Sequence, residues 1–141
     1  MSEKSAHIAA QYVRRVFCQA HVRPYDNKHP LSNNITGHLT FEPLPEEGHW
    51  RVDLEMVIQG VNAEDVLCFE AGCGVEAIVF LQGLEPAEIE PVLTHNIAAL
   101  MVGTVRTAIT NASLATGYGP VTLPPMAAAQ LESLAKISQT Q

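Results

Sequence analysis

With 141 residues, 47% of them apolar and only 16% charged, the chain is long enough to bury one real core and short enough to be a single domain. Its net charge of −7 excludes a general nucleic-acid binder, because phosphate binding draws on clustered Lys and Arg. The charge is unevenly spread: residues 1–51 hold six bases and five acids, Val52–Val105 nine acids and no base, and the remainder two bases and one acid. Such an acidic stretch either meets a basic partner or forms a solvated face. The charge content lies below the roughly 25% of an average domain. Apolar surface is therefore hidden in an oligomer or used for binding, unless an Ala-rich core absorbs it.

Residues 8–22, rich in β-branched and aromatic types, read as a first strand, followed by the long loop "RPYDNKHPLSNN". "ITGHLTFEPL", in which Leu39 and Phe41 alternate with polar neighbours, reads as a second strand stopped at Pro43 and Pro45. "HWRVDLEMVIQG" has the clearest period of two, with Trp50, Val52, Leu54, Met56 and Ile58 on one side, and predicts a half-buried third strand. "VNAED" turns the chain into a fourth strand, interrupted at Gly72 and Gly74 by a bulge or bend. Short turns between consecutive strands imply an antiparallel meander. The period then changes. Ile97, Leu100, Met101, Val105, Ala108, Ile109 and Ala112 form one apolar helical face between about His95 and Thr116, ended by Gly117. Pro125 is placed as the first residue of a last helix. The layout is α+β: a four-stranded antiparallel sheet, a long helix and a shorter C-terminal helix. One domain spans 1–141, with a short tail from about residue 136.

The three cysteines, Cys18, Cys68 and Cys73, suit a reducing compartment. The start "MSEKSAHIAAQ" has no apolar h-region, and no apolar run approaches the ~18 residues of a membrane span. These features read as a soluble, cytoplasmic protein. Cys68 and Cys73 lack the C-x₂₋₄-C spacing of a zinc site and read as small buried hydrophobes. Glu85, Glu88 and Glu90 cluster at a helix start, where the dipole favours them. No phosphate-cradling loop or nucleophile elbow is present, so neither an enzyme nor a cofactor is expected. What stands out is "GPVTLPP", extended and stiffened by its prolines. Val121 and Leu123 within it either pack on their own sheet or, with Leu131 and Leu134, wall an apolar groove.

The element order and the stretches "QYVRRVF", "VDLEMVIQG", "LCFEAG", "VFLQGLEPAEIEPVL", Arg106 to Ile109 and "ATGYGPVTLPPMAAAQL" resemble the SecB family of protein-export chaperones over about Ile8 to Leu134. The resemblance implies an ATP-independent, cofactor-free holdase, a homotetramer built as a dimer of dimers. It would bind unfolded polypeptides along apolar grooves and deliver them to the SecA motor. By position, Leu39, Phe41, Val121, Leu123, Leu131 and Leu134 would line the groove and Tyr25 would cap it. Glu70 is the motor-docking candidate on strand four. Strand one carries Arg15 and Gln19 where the family has acids, and the tail "AKISQTQ" is not acidic. Docking to the motor is therefore set against two other expectations: a SecB-like chaperone guarding another client such as an antitoxin, and a structural module without a client groove.

Overall fold

The computed structural model describes residues 3–124 together with Gln130, Leu131 and Ser133. The helix start read at Pro125, the groove residue Leu134 and the tail from about 136 lie outside the described residues. Four strands come first: β1 (Ser5–Ala20), β2 (Leu31–Pro43), β3 (His49–Asn62) and β4 (Leu67–Gln82). Then follow α1 (Pro86–Val92), a π turn at Leu93–Ile97, and α2 (Ala98–Leu114). The architecture is the α+β layout read from the pattern.

The topology is not a simple meander. The sheet order is β1-β4-β3-β2, antiparallel throughout. β2, β3 and β4 are joined by short turns, while β1 crosses the sheet by a long connection to lie beside β4, the Greek-key arrangement. β3 matches its pattern closely: Val52, Leu54, Met56 and Ile58 are fully buried. β4 runs unbroken through Gly72 and Gly74, contrary to the expected interruption. The register slips instead in β1, between Ile8 and Ala10 and again between Val13 and Arg15. The two glycines make room across the sheet. A side chain at Gly72 would meet the Phe17 ring at 2.3 Å, and over Gly74 lies the Glu55 carboxylate.

The helical run begins at Pro86, nine residues before the apolar period read from about His95 and at the helix start marked by Glu85, Glu88 and Glu90. Pro86 sits in the first helical position, where its missing N–H costs nothing. Glu85 and Glu88 close a capping box ahead of it. Lys4 donates to Glu88 at 3.0 Å, which ties the start of β1 to this helix end and lowers the Glu88 pKa. From Pro86 to Leu114 the run is 29 residues and holds an 18-residue window with a mean hydropathy of 1.3, so by length and composition it could cross a membrane. Here its apolar side lies on the sheet. Ile97, Met101, Val105 and Ile109 are buried against β3 and β4, each contributing ~1.5–3 kcal/mol of burial. Leu100, read as part of that face, points outward at 65% exposure. Gly117 ends the helix as expected, with φ +82°, and a side chain there would strike Pro24 at 2.9 Å.

Candidate functional site

The stiff connector after α2 folds back over the helical side of the sheet, held by hydrogen bonds from α2. Arg106 Nε donates to the Leu123 carbonyl at 3.0 Å and its NH2 group to the Pro124 carbonyl at 3.3 Å. The Val121 N–H donates to Ser113 Oγ at 2.8 Å. Tyr118 stacks on Phe69, with ring centroids 5.1 Å apart, and donates its hydroxyl to the Val22 carbonyl at 2.6 Å. The connector thus bridges the helix and the β1–β2 crossing.

This clamp decides where the expected groove residues lie. Val121, Leu123 and Leu131 are buried in the core of their own chain, as is Leu39. Phe41 is half-buried and meets Trp50 edge-on. Tyr25 stands 88% exposed on the turn Pro24–Asp26. None of these six lines the shallow groove that the fold leaves open beside β2. That groove, of about 240 Å³, is formed by Ile35, Thr36, Gly37, Met56, Pro124, Gln130 and Ser133. Ile35 and Gly37 continue the alternation of Leu39 and Phe41 toward the start of β2, so the period-two pattern already contained them. Gly37, without a side chain, lies between Ile35 and Leu39 in that alternation. β2 is an edge strand paired on one side only, without a bulge, and its sole charge is Glu42. Charges, bulges and interior prolines are the usual guards of such an edge.

The opposite sheet face is polar. Arg14 pairs with Asp53 at 3.0 Å, Arg15 with Glu55 at 3.3 Å, and Arg51 lies among Glu42, Asp53 and Glu76. The Arg15 guanidinium also covers the Phe17 ring at 4.4 Å. Glu70 accepts from Gln59 at 3.3 Å and stands 3.3 Å from His21 Nε2. Arg14 and Arg15 of β1 therefore neutralise carboxylates of β3, Arg15 at a position where an acid was expected.

Among the described residues, no three His, Cys, Asp or Glu side chains gather to hold a metal. Cys68 and Cys73 are buried and Cys18 exposed. Burial, with the Glu55 charge adding to it, pushes the Cys73 thiol up, so little of it is the reactive thiolate. A thiol reagent at pH 8 is expected to titrate Cys18 quickly and all three cysteines only in denaturant. Fast reaction of all three in the native protein would contradict the burial.

No family model matches the chain, and no curated protein sequence does. Among solved structures, the chain is similar to the Mycobacterium tuberculosis Rv1957 SecB-like chaperone, solved in complex with a ChAD peptide from the Rv1956 HigA1 antitoxin. The two superpose with a TM-score of 0.71 at 12% identity, covering 86% of this chain and 91% of that one. The fold is SecB-like. A protein of unknown function from Streptococcus agalactiae is similar more loosely, with a TM-score of 0.45 at 18% identity over 87% of this chain and 99% of that one. The SecB-like fold agrees with the resemblance carried by the sequence stretches.

Proposed function

We propose that this SecB-like protein is a chaperone that holds an extended, weakly charged polypeptide segment in the groove beside β2, on behalf of a dedicated client. The observation that carries this reading is the groove itself: apolar Ile35, Met56 and Pro124 beside an unguarded strand edge. Extended chains join such edges through main-chain hydrogen bonds and gain specificity from side-chain pockets. The SecB-like neighbour was solved with a peptide from an antitoxin, which supports a polypeptide as the ligand class. Nothing in the groove calls for a nucleotide, so holding is ATP-independent.

A dedicated client is favoured over delivery to the SecA motor by the polar sheet face. Of the two β1 positions where acids were expected, Arg15 pairs with Glu55 and Gln19 is uncharged, and Glu70 is already engaged by Gln59 and His21. The exposed Tyr12, Val13 and Val16 on the free edge strand β1, with Leu100 on α2, support self-association of the kind expected for a tetramer. Static light scattering of the purified protein that returned a monomer mass would sink that part.

The test is light scattering of an aggregating, chemically unfolded reporter titrated with this protein without nucleotide. Suppression that saturates with dose is expected. Ile35→Asp should weaken it several-fold while costing less than about 1 kcal/mol of stability, because the residue is 38% exposed. No suppression at several-fold excess would overturn general holding. Micromolar binding of purified SecA to the immobilised protein would overturn the choice of a dedicated client.

A further inference from the structure

A second cavity lies at the other end of the sheet, between the β2–β3 hairpin, the end of β4 and the first turn of α1. It measures about 500 Å³, and Trp50, Phe80, Leu84 and Ile89 form its apolar walls, with Glu47 at its mouth. The walls are fixed by the backbone. Gly48, at φ +77°, brings the hairpin so close that its carbonyl accepts from Leu81 N at 2.7 Å, and a side chain there would collide with the Leu81 carbonyl. His7 and His49 tilt against Phe80 with centroids 5.5 and 5.1 Å away and hold its ring in place.

The charges around this cavity are mostly acidic, with Lys4 the one cation beside it among the described residues. Glu46 and Glu47 lie on the hairpin, and Glu85, Glu88 and Glu90 lie at or near the start of α1. Glu88 is taken by Lys4 and Glu85 by its capping box. Glu46, Glu47 and Glu90 form no ion pair among the described residues. Apolar walls that end in free carboxylates match one kind of side chain: a long aliphatic stem with a cationic head. An acidic group would be repelled. A neutral apolar one would fill the walls but leave the carboxylates unanswered.

We propose that this cavity takes an arginine side chain of a polypeptide partner, its stem on Ile89 and Leu84, its guanidinium between the Trp50 ring and Glu47. Arginine suits the site better than lysine, because its planar, weakly hydrated head stacks on aromatic faces and pairs with carboxylate. The inference rests on the reading that the protein holds polypeptides, and it adds a second point of contact with a stated charge preference. A client with an arginine some distance from its groove-bound segment would be gripped at both ends of β2, and the acidic rim would draw it in.

Trp50 is the chain's single tryptophan, so its emission reports on this cavity. The probes are N-acetyl-Leu-Arg-Leu-amide and its Lys, Gln and Glu counterparts, titrated at pH 8 and low salt. The Arg peptide is expected to change Trp50 emission saturably, with the Gln peptide about tenfold weaker and the Glu peptide silent. Glu47→Gln should weaken the Arg peptide about five- to tenfold, and Glu47→Lys should remove the preference for it. Both substitutions are on an exposed turn and leave the core untouched. Equal titration by the Arg and Gln peptides, or Glu47→Gln binding as well as the parent, would overturn the proposal. Reporter aggregation measured on the same preparation separates the two readings. Suppression without a Trp50 response overturns the cavity alone; a selective Trp50 response without suppression supports the cavity and leaves only the groove refuted.

Discussion

Phe69→Ala is expected to cost about 3–5 kcal/mol of stability, the range for removing a fully buried aromatic side chain. The ring is buried over Gly60 of β3 and stacks on Tyr118, so it joins the sheet to the connector. Its loss opens a cavity and also frees Tyr118, whose hydroxyl anchors the β1–β2 crossing at Val22. The same contact can be strained from the other side. A side-chain carbon at Gly60 would stand 2.1 Å from Phe69 Cε1, and the stacked Tyr118 leaves the ring no easy escape. Gly60→Ala should cost about 1–3 kcal/mol by overpacking, and Gly60→Ala with Phe69→Leu should recover part of it. Urea unfolding followed by Trp50 emission measures all three. A loss below about 1 kcal/mol for Phe69→Ala would show that the stack is not part of the core.

Arg106→Ala should lower stability by about 2 kcal/mol, since it removes two hydrogen bonds from a charged donor and strands a carbonyl. For a chain of this size the Tm falls by roughly 6–10 °C. The larger effect is on the groove. Pro124, one of its walls, is held in place through its carbonyl by this guanidinium. Client holding should therefore fall more steeply than stability, and Arg106→Lys should restore stability only in part, because a point charge cannot reach both carbonyls as a fork does. Aggregation assays at a temperature where the variant remains folded separate the two effects. Unchanged holding by a folded Arg106→Ala protein would show that the clamp does not shape the groove.

The fold was legible where one physical signal dominated. β3 lies in the middle of the sheet with one buried and one polar face, so Val52 to Ile58 alternate cleanly and the strand could be read with its orientation. β1 was visible as a strand but its faces were not. Two register slips reverse the alternation twice within 16 residues, and no period survives that. The glutamates at 85, 88 and 90 marked the helix start, but the apolar period does not reach back to it, because two prolines occupy the first turns and the wide π segment shifts the phase. The Greek-key order follows from contacts distant in sequence, which local patterns do not encode.

For the site, the residues read from the sequence and the groove left open beside β2 share segments but not side chains. The connector and β2 do border the groove. Leu123 and Val121 are buried all the same, because Arg106 and Ser113 pull the connector's main chain inward, and that depends on a donor and an acceptor two turns apart on another element. Ile35 and Gly37 were passed over although they continue a pattern already recognised. The cavity at Trp50 had no local signal beyond the density of glutamates, since its walls come from three separate elements.

The place of β1 in the sheet also sets an order of events as the chain folds. Ser5 pairs with Gln82, so the first strand to be synthesised is the last whose partner appears. The β2–β3–β4 hairpins close short loops and assemble early, whereas β1 has to close a loop spanning most of the sheet's sequence, a slow, entropically costly step. Until then the backbone of β1 has no strand to pair with, and Tyr12, Val13 and Val16 stay exposed even afterwards. A protein whose proposed work is to shield other chains thus begins its own existence with an unpaired strand.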